Sequence, residues 1–447
     1  MTAGTPHPTS VLPPTPLAVT GIGLVTPAGI GTDDTWKGVC AGRPTAAADP
    51  ELAGLPVTIS CRVPGFDART QVGGVQPWRH DRFTHFALIA AREAVRDAGL
   101  DPASRGWPAA RVALVLGSAA GGVGTYERQH RKLLAGGHRS VSPLTLPAFL
   151  PNMAAGQLAI DLGVHGPVLH TATACASGAT ALATAATLLA AGACDIAIAG
   201  GSDAMITPLC VTAFGRAGAL SHRLDDPPTA SRPFDATRDG FVLAEGAGVL
   251  VLERAADATA RRAPIRALLT GHGSATDAHH PVAPRPDGRG LQAALRQALV
   301  HADAAPADVA HINAHGTGTP LNDRTEATAL RGLFGANGPS VTSAKGVLGH
   351  TMGAAGAIEA ALTVLTVQHQ LAPPTANFRT PAADTAVLDV VAPAARSQRI
   401  DLALSVSCGF GGHNTALAFT PAPRPLGTPP AGPPPPTRPV PHPAPSP

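Results

Sequence analysis

Four side chains in this 447-residue sequence stand where residue type and neighbourhood allow chemistry. Cys175 lies in Thr-Ala-Thr-Ala-Cys-Ala-Ser-Gly-Ala-Thr-Ala (171–181). His315 lies in Asn-Ala-His-Gly-Thr-Gly-Thr-Pro, and Lys345 and His350 share Lys-Gly-Val-Leu-Gly-His-Thr-Met-Gly-Ala-Ala-Gly. A cysteine alone is as readily an inert core residue as a nucleophile. Two histidines in glycine-rich loops, a lysine and a thiol together form a set suited to covalent acyl transfer. The thiol attacks, and the histidines and free backbone N–H groups face the negative charge that develops on oxygen. No H-E-x-x-H spacing and no acidic cluster accompanies the histidines, so we expect no metal.

Such a set has to be placed by its elements. The segment 167–172 reads as a short buried strand, and Ala176–Ala191, rich in Ala, Leu and Thr, reads as a helix closed by Gly192. Cys194–Gly201 reads as the following strand, which leaves Cys175 at a strand-to-helix turn. There the helix dipole and unpaired N–H groups favour a thiolate. His315 follows a strand end, and the Lys345–His350 loop precedes an Ala-rich helix. Ser-Cys-Gly-Phe-Gly-Gly-His-Asn (407–414) turns into a final strand over 415–419. The glycine-rich turn at 117–124 is neither G-x-G-x-x-G nor a Walker sequence, so nucleotide binding is rejected. Arg238, Asp239 and Glu245 are charges in apolar surroundings, which predicts a structural ion-pair network among them.

The folded part shows an internal repeat. Leu-Ala-Val-Thr-Gly-Ile-Gly (17–23) and Ala-Leu-Leu-Thr-Gly-His-Gly (267–273) are both apolar strands ending in Thr-Gly-x-Gly. The runs at 111–117 and 249–253 lack a polar face, as expected of central strands covered on both sides. Two α/β halves, 17–263 and 264–420, packed about shared central helices are therefore expected. The ends, 1–16 and 421–447, are Pro-rich and read as disordered tails. A net charge of +3 with no long basic run argues against nucleic acid. Six cysteines without paired spacing fit free thiols in a reducing compartment. With no signal segment and no membrane span in view, a cytoplasmic protein is expected.

The four motifs Thr-Ala-Cys-Ala-Ser-Gly, Asn-Ala-His-Gly-Thr-Gly-Thr-Pro, Lys-Gly-Val-Leu-Gly-His-Thr-Met-Gly-Ala-Ala-Gly and Gly-Phe-Gly-Gly-His-Asn stand in the order seen in β-ketoacyl-[acyl-carrier-protein] synthases. The sequence resembles the Cys-His-His condensing enzymes of type II fatty acid and polyketide synthesis over about 17–420. The resemblance implies the thiolase fold, with duplicated halves in five α/β/α/β/α layers. It implies a nucleophile at Cys175, oxyanion donors at the N–H groups of Cys175 and Phe410, and enolate donors at His315 and His350. Lys345 would support the histidines, Glu359 and Glu326 would be buried acidic partners, and Thr317 and Thr319 would bind the pantetheine arm. No bound cofactor is implied, since the substrates ride on the phosphopantetheine of an acyl carrier protein. The implied assembly is a homodimer, or a heterodimer with a chain-length-factor-like subunit.

The sequence departs from the family pattern around the acyl pocket. Cys408 replaces a usual Phe two residues before the gate residue Phe410, and Ala120 replaces a larger branched residue in the pocket floor. Both changes remove volume, which favours longer or unsaturated chains and a polyketide or polyene pathway over housekeeping fatty acid elongation. In the carrier-docking patch Arg139 is retained, Gly218 replaces a frequent Arg, and Arg216 lies nearby. A chain-length subunit would lack the nucleophilic cysteine, and a thiolase would carry a Cys/His/Cys set.

Overall fold

Hydrophobic runs of strand length alternate with helical segments along the whole chain. The computed structural model describes residues 16–73 and 76–423. The tails expected at 1–16 and 421–447 lie outside the described residues, apart from their innermost positions.

Ten strands carry the architecture in two runs of five. The first run is β1 (Leu17–Thr26), β2 (Val112–Gly117), β3 (Val168–Thr171), β4 (Ile196–Ala204) and β5 (Glu245–Arg254). The second is β6 (Ala267–Thr276), β7 (His311–Asn313), β8 (Ser340–Thr342), β9 (Ala403–Gly409) and β10 (His413–Pro421). Their spatial orders are β3-β2-β4-β5-β1 and β8-β7-β9-β10-β6, the same permutation twice. In each run the second strand is parallel to the third and fourth, and the fifth is antiparallel to the fourth and first. The two sheets join edge to edge where Leu17–Val19 pair with Ala267–Leu269.

The repeated Thr-Gly-x-Gly has a packing cause. Helix α1 (Arg82–Asp97) lies so close on β1 that a Cβ on Gly21 would sit 2.0 Å from the Ala94 carbonyl oxygen. In the second half a Cβ on Gly271 would sit 2.1 Å from the Ala298 oxygen of the later helix Arg289–His301. Only glycine permits either approach.

Helix α2 (Met153–Leu162) shares the outer face of the first sheet with α1 in one apolar cluster. Helices α3 (Ser177–Ala190) and α6 (Ala355–His369) lie between the sheets, in a core cluster fed by strands of both halves. Helices α4 (Arg289–His301) and α5 (Pro320–Phe334) cover the outer face of the second sheet. The result is the expected five layers. Helix α6 is buried continuously from Ala355 to Val367, so it shows none of the amphipathic pattern of a surface helix.

The central helices cross near their N-termini at a glycine pair. A Cβ on Gly178 would meet the Ala357 nitrogen at 2.8 Å, and one on Gly356 would meet the Ala179 nitrogen at 2.8 Å. This close crossing brings the turn before α3, which holds Cys175, against the turn before α6, which follows His350.

One element differs from its sequence reading. The strand expected to be buried, β3, forms the outer edge of the first sheet, with Val168 37% and Leu169 41% exposed. Its apolar residues therefore face outward along a free edge. Among the described residues no helix is long and apolar enough to cross a membrane.

Candidate active site

Cys175 occupies a 3-10 turn, Ala174–Ala176, that runs directly into α3. Ala174 before it has φ 50°, a left-handed conformation costly for a residue with a side chain. The turn is held by Ser177, whose hydroxyl donates to the Ala174 carbonyl at 2.6 Å and accepts the Thr173 N–H at 2.9 Å. The end of β9 lies across it so closely that a Cβ on Gly409 would sit 2.4 Å from the Thr173 oxygen. That approach lets the Phe410 N–H donate to the Cys175 sulfur. Burial pushes the thiol up to about 11, against the pull of Lys345 and this N–H. The sequence reading of a favoured thiolate therefore misses the larger effect, desolvation, which leaves the resting group a thiol.

His350 Nε2 lies 3.2 Å from Cys175 Sγ, and the two imidazoles meet edge to face with centroids 5.3 Å apart. Their tautomers follow from their neighbours. The Met352 N–H donates to His350 Nδ1 at 3.3 Å, which places the His350 proton on Nε2, facing the sulfur. Lys345 Nζ lies 3.3 Å from His315 Nδ1 and donates to the His315 carbonyl at 2.6 Å. An ammonium has only donors to offer, so the His315 proton is also on Nε2. Burial first, then the charge of Lys345, holds both histidines well below 6.5 and hence neutral at pH 7.

Two glutamates support this group from α5 and α6. Glu326 accepts the N–H groups of His315 and Gly316, each at 2.7 Å, and so fixes the loop after β7. Glu359 pairs with the buried ammonium of Lys345. Burial raises each carboxyl to about 7; hydrogen bonds oppose the rise at Glu326 and the Lys345 charge opposes it at Glu359. Cys175, His315 and His350 each place one potential ligand atom within 4.8 Å of the others. A divalent cation there would face the Lys345 ammonium beside His315, which suits an anion better.

The remaining residues singled out in the sequence fall in three places. Thr317 and Thr319 share a hydrogen bond of 2.9 Å in the loop entering α5, where Thr319 also caps the helix by accepting the Asn322 N–H. Phe410 is 39% exposed at the mouth of the site. Ala120 packs with Cys175 against a cluster containing Met205, Ile206 and Phe241. Cys408 packs instead with the cluster beneath α4 and α5, on the other side of β9. Arg139 and Arg216 are exposed and make no ion pair among the described residues.

The ion-pair network expected of Arg238, Asp239 and Glu245 does not form. Glu245 takes a bidentate pair with Arg82 at 2.6 and 2.7 Å. Arg238 pairs with Asp384 at 3.0 Å, and Asp239 accepts from the Ser221 hydroxyl at 2.7 Å. Each finds a partner distant in sequence instead. The same segment contributes a site residue that its charges concealed. Phe241 packs edge to face on His350 with centroids 5.2 Å apart, and Phe214 links Phe241 (5.5 Å) to Phe410 (6.4 Å). Isolated phenylalanines carry no spacing signal, so nothing in the sequence marks them.

Residues 15–258 match the family model for the β-ketoacyl synthase N-terminal domain, and 266–379 match its C-terminal domain. The chain belongs to the β-ketoacyl synthase family. It is 41% identical over 409 residues to 3-oxoacyl-[acyl-carrier-protein] synthase 2 of Synechocystis sp., covering 90% of this chain and 97% of that protein. It is 40% identical to the Staphylococcus aureus protein of the same name, with the same coverage. Among solved structures it resembles the ishigamide ketosynthase/chain length factor (TM-score 0.85, 32% identity, 92% of this chain and 100% of that one). A type II polyketide synthase acyl-carrier protein complex with its ketosynthase, bound to the hexaketide, is similar at TM-score 0.85 and 30% identity, with the same coverage.

Proposed function

We propose that this ketoacyl synthase elongates carrier-bound acyl chains by two carbons through decarboxylative condensation. The observation that carries the reading is the convergence of one thiol and two neutral imidazoles whose Nδ1 atoms are already occupied by donors. In the first step Cys175 attacks an acyl thioester; the new bond is S–C, and the thiol proton ends on the departing pantetheine sulfur. The N–H groups of Cys175 and Phe410 receive the tetrahedral oxyanion. In the second step a malonyl thioester loses carbon dioxide, and its electron pair becomes an enolate. The Nε2–H groups of His315 and His350 donate to the enolate oxygen. The carbanion then attacks acyl-Cys175, and the expelled sulfur takes up a proton.

Neutral imidazoles suit this role. A pair of imidazolium ions beside Lys345 would place three positive charges in a buried site. Lys345 and Glu326 fix the orientation of His315, Glu359 balances Lys345, and Thr317 and Thr319 line the approach of the pantetheine arm. Arg139 and Arg216 are the docking cations for an acyl carrier protein. The free edge of β3, with the exposed apolar residues Val168, Leu169 and Ile160, is the face for a second subunit. That subunit is a second copy of this chain or a chain-length-factor-like partner.

The small residue at Ala120, packed with Cys175, favours longer or unsaturated chains and a polyketide or polyene pathway, while Cys408 lies on the other side of β9 and adds no room there; the relatives named 3-oxoacyl-[acyl-carrier-protein] synthase 2 are equally compatible with fatty acid elongation. Incubation with acyl- and malonyl-carrier proteins tests the reading. Carbon dioxide release matched by a carrier-bound β-ketoacyl product supports it, and release without elongation refutes condensation. The longest chain accepted separates the two pathways.

A further inference from the structure

Asp203, near the end of β4, is a fully buried carboxylate that the chemistry above does not use. It has no cation partner among the described residues. Donors satisfy it instead. The Ser118 hydroxyl donates to Oδ1 at 2.6 Å, and the N–H groups of Ala119 and Gly353 donate to Oδ2 at 2.8 and 2.6 Å. The Ala120 N–H also faces it. Ser118 in turn accepts the Gly121 N–H at 2.8 Å, so the whole turn after β2 hangs on this side chain.

These donors come from two elements distant in sequence. One is the turn that carries Ala120 in the proposed floor of the acyl pocket. The other is the turn Met352–Ala354 between His350 and α6. Met352, whose N–H fixes the tautomer of His350, directly precedes Gly353. The contact leaves no slack, since a Cβ on Gly353 would lie 2.4 Å from the Ala119 nitrogen and 2.5 Å from Asp203 Oδ2.

We propose that Asp203 is a positioning residue that locks the acyl-pocket floor to the turn setting the His350 proton, so that chain selection and decarboxylation share one anchor. The inference rests on the condensing reading given above. It adds a buried acceptor whose loss loosens two sites at once: the floor at Ala119–Ala120 and the Met352 donor.

The conservative variant Asp203→Asn keeps an acceptor for both backbone N–H groups, and its amide can donate to the Ser118 hydroxyl. Asp203→Ala leaves those N–H groups buried and unpaired. Ser118→Ala removes the hydroxyl tie to the floor, together with its hold on the Gly121 N–H, and leaves the Gly353 contact intact. The experiment measures carbon dioxide release from malonyl-carrier and the chain-length profile of Cys175 acylation, on wild type and the three variants. Asp203→Ala should lose roughly ten- to a hundredfold in decarboxylation through misplacement of His350 and flatten the chain-length profile. Asp203→Asn should restore most of both. Ser118→Ala should broaden the profile and leave decarboxylation near wild type. Should Asp203→Ala fail to fold, the contrast between Ser118→Ala and Asp203→Asn decides. An unchanged chain-length profile in Ser118→Ala, or a folded Asp203→Ala with both readouts unchanged, would overturn the proposal. A wild-type protein inactive in both readouts would refute the condensing reading itself.

Discussion

Replacing Lys345 by methionine separates the electrostatic work of this residue from its structural work. Lys345 is 1% exposed, and its ammonium pairs with Glu359 and meets His315 at both the carbonyl and Nδ1. Removing one partner of a buried pair typically costs about 3–5 kcal/mol, because the other charge is left behind. Glu359 already sits at about 7 beside Lys345, so without it the carboxyl takes up a proton at neutral pH. The loss should therefore fall near the lower end, about 3 kcal/mol at pH 7, and grow as the pH rises. Glu359→Gln added to Lys345→Met removes the stranded acid and should return most of the stability. It does not restore a donor at His315 Nδ1, so the imidazole proton is free to move from Nε2. Decarboxylation should then fall toward the roughly 10²–10³ lost with one oxyanion donor, in the single and the double variant alike. Denaturant unfolding gives the first quantity, and carbon dioxide release from malonyl-carrier gives the second. A double variant that regains wild-type decarboxylation along with its stability would refute the tautomer argument and leave Lys345 a structural residue.

Four further outcomes follow from the same geometry. His315→Ala and His350→Ala should still acylate Cys175 but lose on the order of 10²–10³ in carbon dioxide release; an unchanged release in both removes the imidazoles from the mechanism. Cys175→Gln imitates the acylated side chain in shape, so it should release carbon dioxide from malonyl-carrier without forming a condensed product. Ala120→Phe should block long and polyunsaturated acyl groups while short primers still load, and equal loss across all lengths would make Ala120 a folding residue only. On acidification from pH 6.5 toward 4.5, folding stability should fall. Eight imidazoles are held below their ordinary value, among them His85 and His272 at about 4 and His311 at about 3, so the unfolded chain binds protons there that the folded chain refuses. Four carboxyls raised by burial, Asp203, Asp323, Glu326 and Glu359, act with the opposite sign but are fewer. Denaturation midpoints across that range check the sign.

Much of the arrangement was legible because it depends on local rules. Cys175 at a strand-to-helix turn, Gly192 with φ 69° after α3, and the duplicated Thr-Gly-x-Gly strands all express constraints that act within a few residues. The proposed catalytic group was visible because its loops are rich in glycine at points of close approach. Partnerships across long sequence separations were not legible. Glu245 finds Arg82, and Asp203 finds Ser118 and Gly353, because the sheet order brings them together, and no spacing encodes that order. The exposure of β3 escaped for a related reason, since an apolar edge strand reads like an apolar central one. The Cys175 thiol was read from its helix, whereas its proton affinity is set by burial among residues from both halves. Cys408 was grouped with Ala120 because both depart from the resembled family's pocket pattern, yet the alternation of β9 turns it toward a different cluster.

The central claim is that Cys175 carries the growing chain between two thioester steps. Intact-protein mass spectrometry after incubation with acyl-carrier protein tests it directly. The account predicts a mass gain of one acyl group on the wild-type chain, localised to the peptide containing Cys175, released on adding malonyl-carrier and absent from Cys175→Ala. Acylation of Cys175→Ala to the wild-type extent, or a label on another residue that chases into product, would contradict it.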